Sequence, residues 1–286
     1  MIFECHGHII LNSVSYISAV ERHKEGPNEA FIRQNLMTCS DNGIVFYRDG
    51  GDKHGVSLFA KSIAGEYGID YRTPIYIIHK KGYYGSMFGR AYESTAGYYE
   101  LVYEAKRLGA DFIKLTASGL LDFLNGGRVT GPPMAEDELA ESIKFAQGEG
   151  FAVMIHANGA ENIKKALRAG ADSIEHGYYI DREALLMMAE AGTVWVPTCV
   201  TAANLIGSGV YDDDMLKRIH DGHTSALSEA YTLGVLIACG SDAGASRVPQ
   251  GIGTHDELAV LNSLGIDPEP VNKKIAEKFI CNSPVC

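Results

Sequence analysis

The chain has 286 residues, 46% of them hydrophobic, and a formal net charge of −11. That length can bury a sizeable core and suits one large α/β barrel or two smaller domains. The acidity speaks against a nucleic-acid or anionic-membrane surface and for a small-molecule substrate, and no apolar run approaches the ~20 residues needed to cross a bilayer.

Met1 leads straight into IFECHGHI, with no basic n-region or cleavage site. Cys5, Cys199 and Cys239 fall in strand-like apolar runs and read as reduced core thiols. A cytoplasmic location is expected.

Short β-branched runs alternate with longer amphipathic ones along the whole chain. IFECHGHI precedes a helix over 28–42, GIVFYRDGG one over 54–67, and PIYIIH, after a loop, one over 94–108. The series continues with DFIKLT and helix 136–148, AVMIHA and helix 160–169, SIEHG and helix 181–191, VWVPT and helix 212–233, and VLIACGSDAG and helix 255–264. Several helices run into a glycine, as in RLGAD, RAGAD, EAGTV and TLGVL, the usual left-handed stop before a strand. Eight β-α units without a linker predict a single domain over 1–286, a (β/α)8 TIM barrel whose site lies at the C-terminal ends of the strands. A doubly wound sheet would carry a glycine-rich phosphate turn after its first strand, and HGHII is not one.

On that barrel, His6 and His8 are two apart on strand 1 and share a face. Strand 4 ends near Lys114, strand 5 near His156, strand 6 near His176 and strand 8 near Asp242. Each has an ordinary explanation alone: unrelated histidines, a snorkelling lysine, a helix-capping SDAG. Together they place four histidines, a lysine and an aspartate on one mouth. Neutral imidazole and carboxylate suit Zn²⁺ and related divalent ions. A lysine amine cannot ligate as an ammonium, but burial favours its neutral form, which can react with CO2 to give a bridging carbamate. Zinc, manganese, cobalt and iron all fit the donor set.

CHGHI, GIVFYRDGG, DFIKLTASG, VMIHANGAENIKKALRAGADSIEHG and GSDAG, in this order over nearly the whole barrel, resemble the amidohydrolase superfamily. The resemblance falls in its imidazolonepropionase-like, Xaa-Pro dipeptidase and Xaa-Arg/Lys carboxypeptidase-like branch. It implies that His6, His8 and Asp242 hold one metal, that His156 and His176 hold a second, and that carboxylated Lys114 bridges them. It also implies that Asp242 is the catalytic base and then acid. Relatives carry a flanking β-sandwich, whereas this chain reads as a barrel without one. Apolar surface so uncovered points to a homo-oligomer.

Substrate contacts are sought in the long loop 80–97 and in SGLLDFLNGGRVTGPP after strand 4. His79 or Tyr84 would take the place of a histidine found in related peptidases, while Lys80, Lys81, Tyr83, Arg90 and Arg128 are candidates for a carboxylate and an apolar group. Arg48 and Asp49 would orient the mouth, and His255 would line the pocket or start a helix. His23, His54, His220 and His223 read as surface residues. The function expected is hydrolysis of an amide or peptide-like C–N bond in a small carboxylate-bearing molecule such as a dipeptide or N-acyl amino acid. The alternatives are a one-metal cyclic-amide hydrolase or deaminase, and a degenerate barrel serving for binding or assembly.

Overall fold

In the computed structural model, which describes residues 1–281, eight parallel strands form a closed barrel. They are β1 (Ile2–Gly7), β2 (Ile44–Asp49), β3 (Asp70–Arg72, resuming as Ile77–Lys80), β4 (Ile113–Thr116), β5 (Val153–Ala157), β6 (Ser173–His176), β7 (Val194–Val196) and β8 (Leu236–Ile237). Each pairs in parallel with its successor in the chain. Strand β3 is broken around Pro74, which has no N–H to give a ladder; its first half pairs with β2 and its second with β4. The ring closes where Cys5 N donates to Cys239 O (2.9 Å) and Asp242 N to His6 O (2.7 Å).

The eight expected helices follow as α1 (Glu29–Asp41), α2 (Val56–Ile63), α3 (Thr95–Arg107), α4 (Glu136–Gly148), α5 (Ala160–Arg168), α6 (Arg182–Ala191), α7 (Asp213–Thr232) and α8 (Ile252–Ser263). Their starts are written in short polar side chains: Asn28, Ser94, Asp181 and Asp212 each accept a bond from an N–H of the first turn. Outward strand residues such as Ile113, Leu115, Ile155, Ile174 and Trp195 pack under the helices in one continuous core. Burying each such side chain contributes roughly 1.5–3 kcal/mol.

Irregular spacing hid several smaller elements. A short strand, Arg90–Tyr92, adds beside Ile77–Lys80, and a hairpin pairs Leu121–Asp122 with Arg128–Val129. Short helices cover Tyr16–Glu21 and Val200–Ala203. A last helix, Glu269–Lys278, carries Ile275 toward the N-terminal end of the barrel, where Phe279, just beyond it, meets Phe112 edge to face at 5.4 Å. Cys5, Cys39, Cys199 and Cys239 are buried free thiols. No helix of the described residues is long and apolar enough to cross a membrane.

Two of the histidines expected at the surface are buried instead. His23 is enclosed behind α1, with its Nδ1 accepting from Asn28 N (3.0 Å). His223 of α7 stacks on Tyr178 (4.1 Å between centroids), meets the edge of Trp195 and donates from Nε2 to Pro197 O (2.9 Å). The apolar side of a helix was misread because one face of α7 carries a polar ring inward with its bond supplied by a strand end. Burial lowers the proton affinity of His223 to about 4.

Folded His223 therefore stays neutral down to about pH 4, while histidine in the unfolded chain takes a proton near 6.5. Acidification in that window favours unfolding. Relative to His223→Phe, the wild type should lose about 1.4 kcal/mol of stability per pH unit between roughly pH 6.5 and 4, read from urea unfolding at each pH. A difference that stays constant across the window would mean the ring is not held neutral.

Candidate active site

The mouth is assembled from strand ends. In β1 the register with β2 slips between Glu4 and Gly7, so that Glu4 faces Thr254 of α8 (2.6 Å) while His6 and His8 both turn toward the axis. Simple alternation places Lys114 and Thr116 of β4 inside, as it does His156 of β5. In β6 the inward residues are Ser173 and Glu175, and His176 would point out. A left-handed backbone at His176 (φ 66°) brings its ring inward. Asp242 beyond β8 is also left-handed (φ 60°).

The six residues meet. Lys114 Nζ lies 3.0 Å from His6 Nε2 and 3.5 Å from His8 Nε2. Asp242 Oδ1 lies 3.5 Å from His8 Nε2 and 3.7 Å from His6 Nε2. The rings of His176 and His6 are 4.9 Å apart, and those of His156 and His176 are 4.4 Å apart. Among the described residues, one group of metal-ligand type has all its donor atoms within 4.8 Å: His6, His8 and Asp242. His156 and His176 stand beside it, with His156 Nε2 facing Gly119 O at 3.1 Å.

Neighbours hold these rings in ligand form. His6 Nδ1 donates to Glu175 Oε2 (2.7 Å), which leaves the Nε2 lone pair toward the mouth. Glu175 in turn receives both Nη2 contacts from Arg48 (2.9 Å each), and Arg48 Nε donates to Cys5 O. His176 Nδ1 lies 2.8 Å from Thr198 Oγ1. Gly50 lies flat against His8; a Cβ there would fall 2.0 Å from the ring. Burial holds His6, His8 and His176 neutral far below their ordinary range, and His156 down to about 3. Burial also lowers the Lys114 ammonium to about 8, against the pull of Glu175, Asp242 and Asp49. It raises the Asp242 carboxyl to about 6, which Lys114 partly opposes. Unprotonated imidazoles, an available amine and a partly exposed carboxylate fit a divalent cation.

The residues sought for substrate are divided. Tyr84 lines the cavity, its ring 4.7 Å from that of His156. His79 does not: it is packed beneath Gly85 and Gly89, with Nδ1 bonded to Lys80 O. Arg90 faces outward, paired with Glu104 (2.5 Å) and lying over Tyr76. Arg128 is exposed on the hairpin, 4.0 Å from Asp122. Lys80 and Lys81 are paired with Glu138 and Glu93 (2.6 Å each), Tyr83 packs on the barrel exterior, and His255 of α8 bonds Asn42 O. Lys80 and Arg90 thus serve strand-to-helix ion pairs, Lys81 a pair within the loop and Arg128 one within the hairpin. Glu175, Thr198, Gly50 and Tyr16 were not singled out by sequence. For Glu175 the signal existed, since a carboxylate inside a buried strand needs a partner and Arg48 sits at the matching height of β2.

This barrel has known counterparts. The sequence profile of the amidohydrolase family matches residues 13–268, and the chain belongs to that family. It is 29% identical over 231 residues to the ochratoxinase of Aspergillus niger, a match covering 76% of this chain and 42% of that protein. The chain thus spans less than half the length of this curated relative. Among solved structures, a Xaa-Pro dipeptidase with bound methionine superposes with a TM-score of 0.77 at 22% identity, over 97% of this chain and 74% of that one. The A. niger ochratoxinase structure gives 0.77 at 20%, over 99% and 72%. At these identities the structural likeness concerns the fold.

The fully buried Arg48–Glu175 pair gives a stability test. Glu175→Ala strands a buried guanidinium and should cost roughly 3–5 kcal/mol in urea unfolding, whereas Arg48→Met with Glu175→Met should recover most of it. A Glu175→Ala loss below about 1 kcal/mol would show that the pair is not desolvated.

Proposed function

We propose that this chain is a divalent-metal-dependent amidohydrolase cleaving an amide C–N bond of a small molecule. The observation that carries it is the convergence of His6, His8 and Asp242 within 4.8 Å at the barrel mouth, with Lys114 Nζ 3.0 Å from His6. In this reading His6, His8 and Asp242 hold one ion and His156 and His176 a second. Bound there, the ions supply Lewis acidity to the scissile carbonyl and lower the proton affinity of the attacking water.

The chain's own groups account for the remaining steps. Lys114, buried and lowered to about 8, has a share of free amine at neutral pH. Its Nζ attacks the carbon of CO2 and releases one proton, leaving an anionic carbamate able to lie between two cations. Asp242, partly open to the cavity, takes a proton from the attacking water on a carboxylate oxygen. It then delivers that proton to the departing nitrogen, so base and acid are one residue. Glu175 and Thr198 keep the rings of His6 and His176 from turning.

A one-ion reading is favoured by a separate observation: His156 Nε2 is directed at Gly119 O, outside the three-residue group. Elemental analysis of protein produced with divalent metal and bicarbonate separates the two. The expected result is about two ions per chain, falling toward one or none in Lys114→Ala, with hydrolysis abolished in His156→Ala while the fold persists. About one ion, indifferent to Lys114→Ala, would move the assignment to the one-ion class of cyclic-amide hydrolases and deaminases. Absence of any bound ion under all conditions would sink metal-dependent hydrolysis.

A further inference from the structure

Beside the proposed metal site the cavity opens into a recess of about 250 Å³, bounded by the hairpin after β4 and the segment after β7. Its walls are Leu120, Phe123, Tyr178, Leu205 and Tyr211. A dry apolar cavity of ~150 Å³ takes up benzene, so the recess has room for an aromatic ring and the atoms that tether it. Among the described residues lining the recess there is no lysine or arginine. The charged side chains that do line it are Asp122 and Asp242, both acidic.

Asn158, Thr201 and Asp122, three of the polar groups lining the recess, are already engaged. Asn158 donates through Nδ2 to Gly119 O and accepts through Oδ1 from Tyr178 N. Thr201 Oγ1 lies 2.8 Å from the Tyr178 hydroxyl and donates to Thr198 O. Asp122 accepts from Leu124 N and from Asn125 Nδ2 (2.7 Å), with Arg128 4.0 Å away on its outer side. A carboxylate carried away from the proposed metal centre into this recess would be desolvated with no lysine or arginine along its walls and two acids nearby, and an unpaired buried charge is strongly disfavoured. Arg218 belongs to a separate outer groove lined by Phe123, Leu124 and Tyr211.

We infer that the substrate is an amide bearing an uncharged aromatic group that fills this recess, with no carboxylate carried into it. This rests on the amidohydrolase reading of the mouth and replaces the carboxylate-bearing dipeptide class with an uncharged aromatic one. Apolar and aromatic walls supply affinity through buried area. The absence of a basic side chain along the recess supplies the discrimination, since an acid group drawn into it must be stripped of water without a partner.

The test uses a matched pair on the metal-supplemented protein: N-acetyl-L-phenylalaninamide and N-acetyl-L-phenylalanine. They share the aromatic group and the acetyl–nitrogen bond and differ in a charge on the neighbouring carboxyl. Binding is measured by calorimetry and hydrolysis by product analysis, in the wild type and in Leu120→Arg, whose half-exposed position at the cavity wall admits a cation. The amide should bind at least tenfold more tightly than the acid, and Leu120→Arg should narrow or reverse that ratio. Equal or tighter binding of the acid by the wild type overturns the inference, as does failure of both compounds to bind. Binding of the amide without its hydrolysis upholds the recess as an uncharged aromatic site and removes the catalytic reading instead.

Discussion

The Arg48–Glu175 pair inside the barrel is the contact on which the site depends. Two ionised groups with no exposed surface are tolerable only because each is bonded on several sides. Arg48 reaches Cys5 O, Ser173 Oγ and both carboxylate oxygens, and Glu175 also accepts from Ser173 Oγ (2.5 Å) and His6 Nδ1. These bonds tie β1, β2 and β6 together across the axis, beneath the mouth. They also decide the chemistry above, because His6 gives up its Nδ1 proton site to Glu175 and presents Nε2 upward. A purely apolar barrel interior could be as stable or more so, but it would leave the His6 ring free to turn.

Below that pair the barrel is ordinary core. Phe3, Phe46, Phe112, Met154, Val194 and Val196 fill it, and Phe279 closes its N-terminal end with its ring 4.4 Å from the Arg48 guanidinium. The polarity gradient along the axis therefore runs from apolar plug, through a neutralised ion pair, to histidines and an open mouth. Each step lowers the cost of the next. The plug excludes water from the ion pair, and the ion pair lets the buried His6 imidazole sit over an apolar floor with its inner nitrogen bonded.

Much of this was legible in the sequence because the barrel is built from local signals. Four of the eight helices have polar caps and the strands have β-branched runs, so DFIKLT, AVMIHA and SIEHG predicted both their elements and the inward Lys114 and His156. His176 also came to the mouth, although alternation alone would have sent it outward. Its reversal depends on a left-handed backbone at φ 66°, a conformation settled by the packing of Trp195, whose Nε1 donates to His176 O. No residue pattern in SIEHG states that. The loops failed for a related reason. Arg90, Arg128, Lys80 and Lys81 are the right types for anion contacts, but their direction is set by acidic partners on α3, α4, the same loop and the hairpin itself, which loop residue types alone do not name. His79 was within one strand of the site and still missed it, because glycines 85 and 89 let the following loop fold down over its ring.

The pairing of those loop cations bears on what the mouth can recognise. An ion pair between half-exposed groups contributes little to stability, about 0–1 kcal/mol, so four such pairs do little to hold the fold. Their consistent effect is to hold these four cations away from the cavity, while Leu, Phe and Tyr side chains from three different loops form its walls. Lys114 is the exception, the one cation reaching the centre, and burial works to discharge it. Conversion to a carbamate would turn even that residue anionic. On the proposed reading, a mouth arranged in this way would draw divalent cations to its centre through its carboxylate and imidazoles and leave recognition of the rest of the molecule to apolar contact.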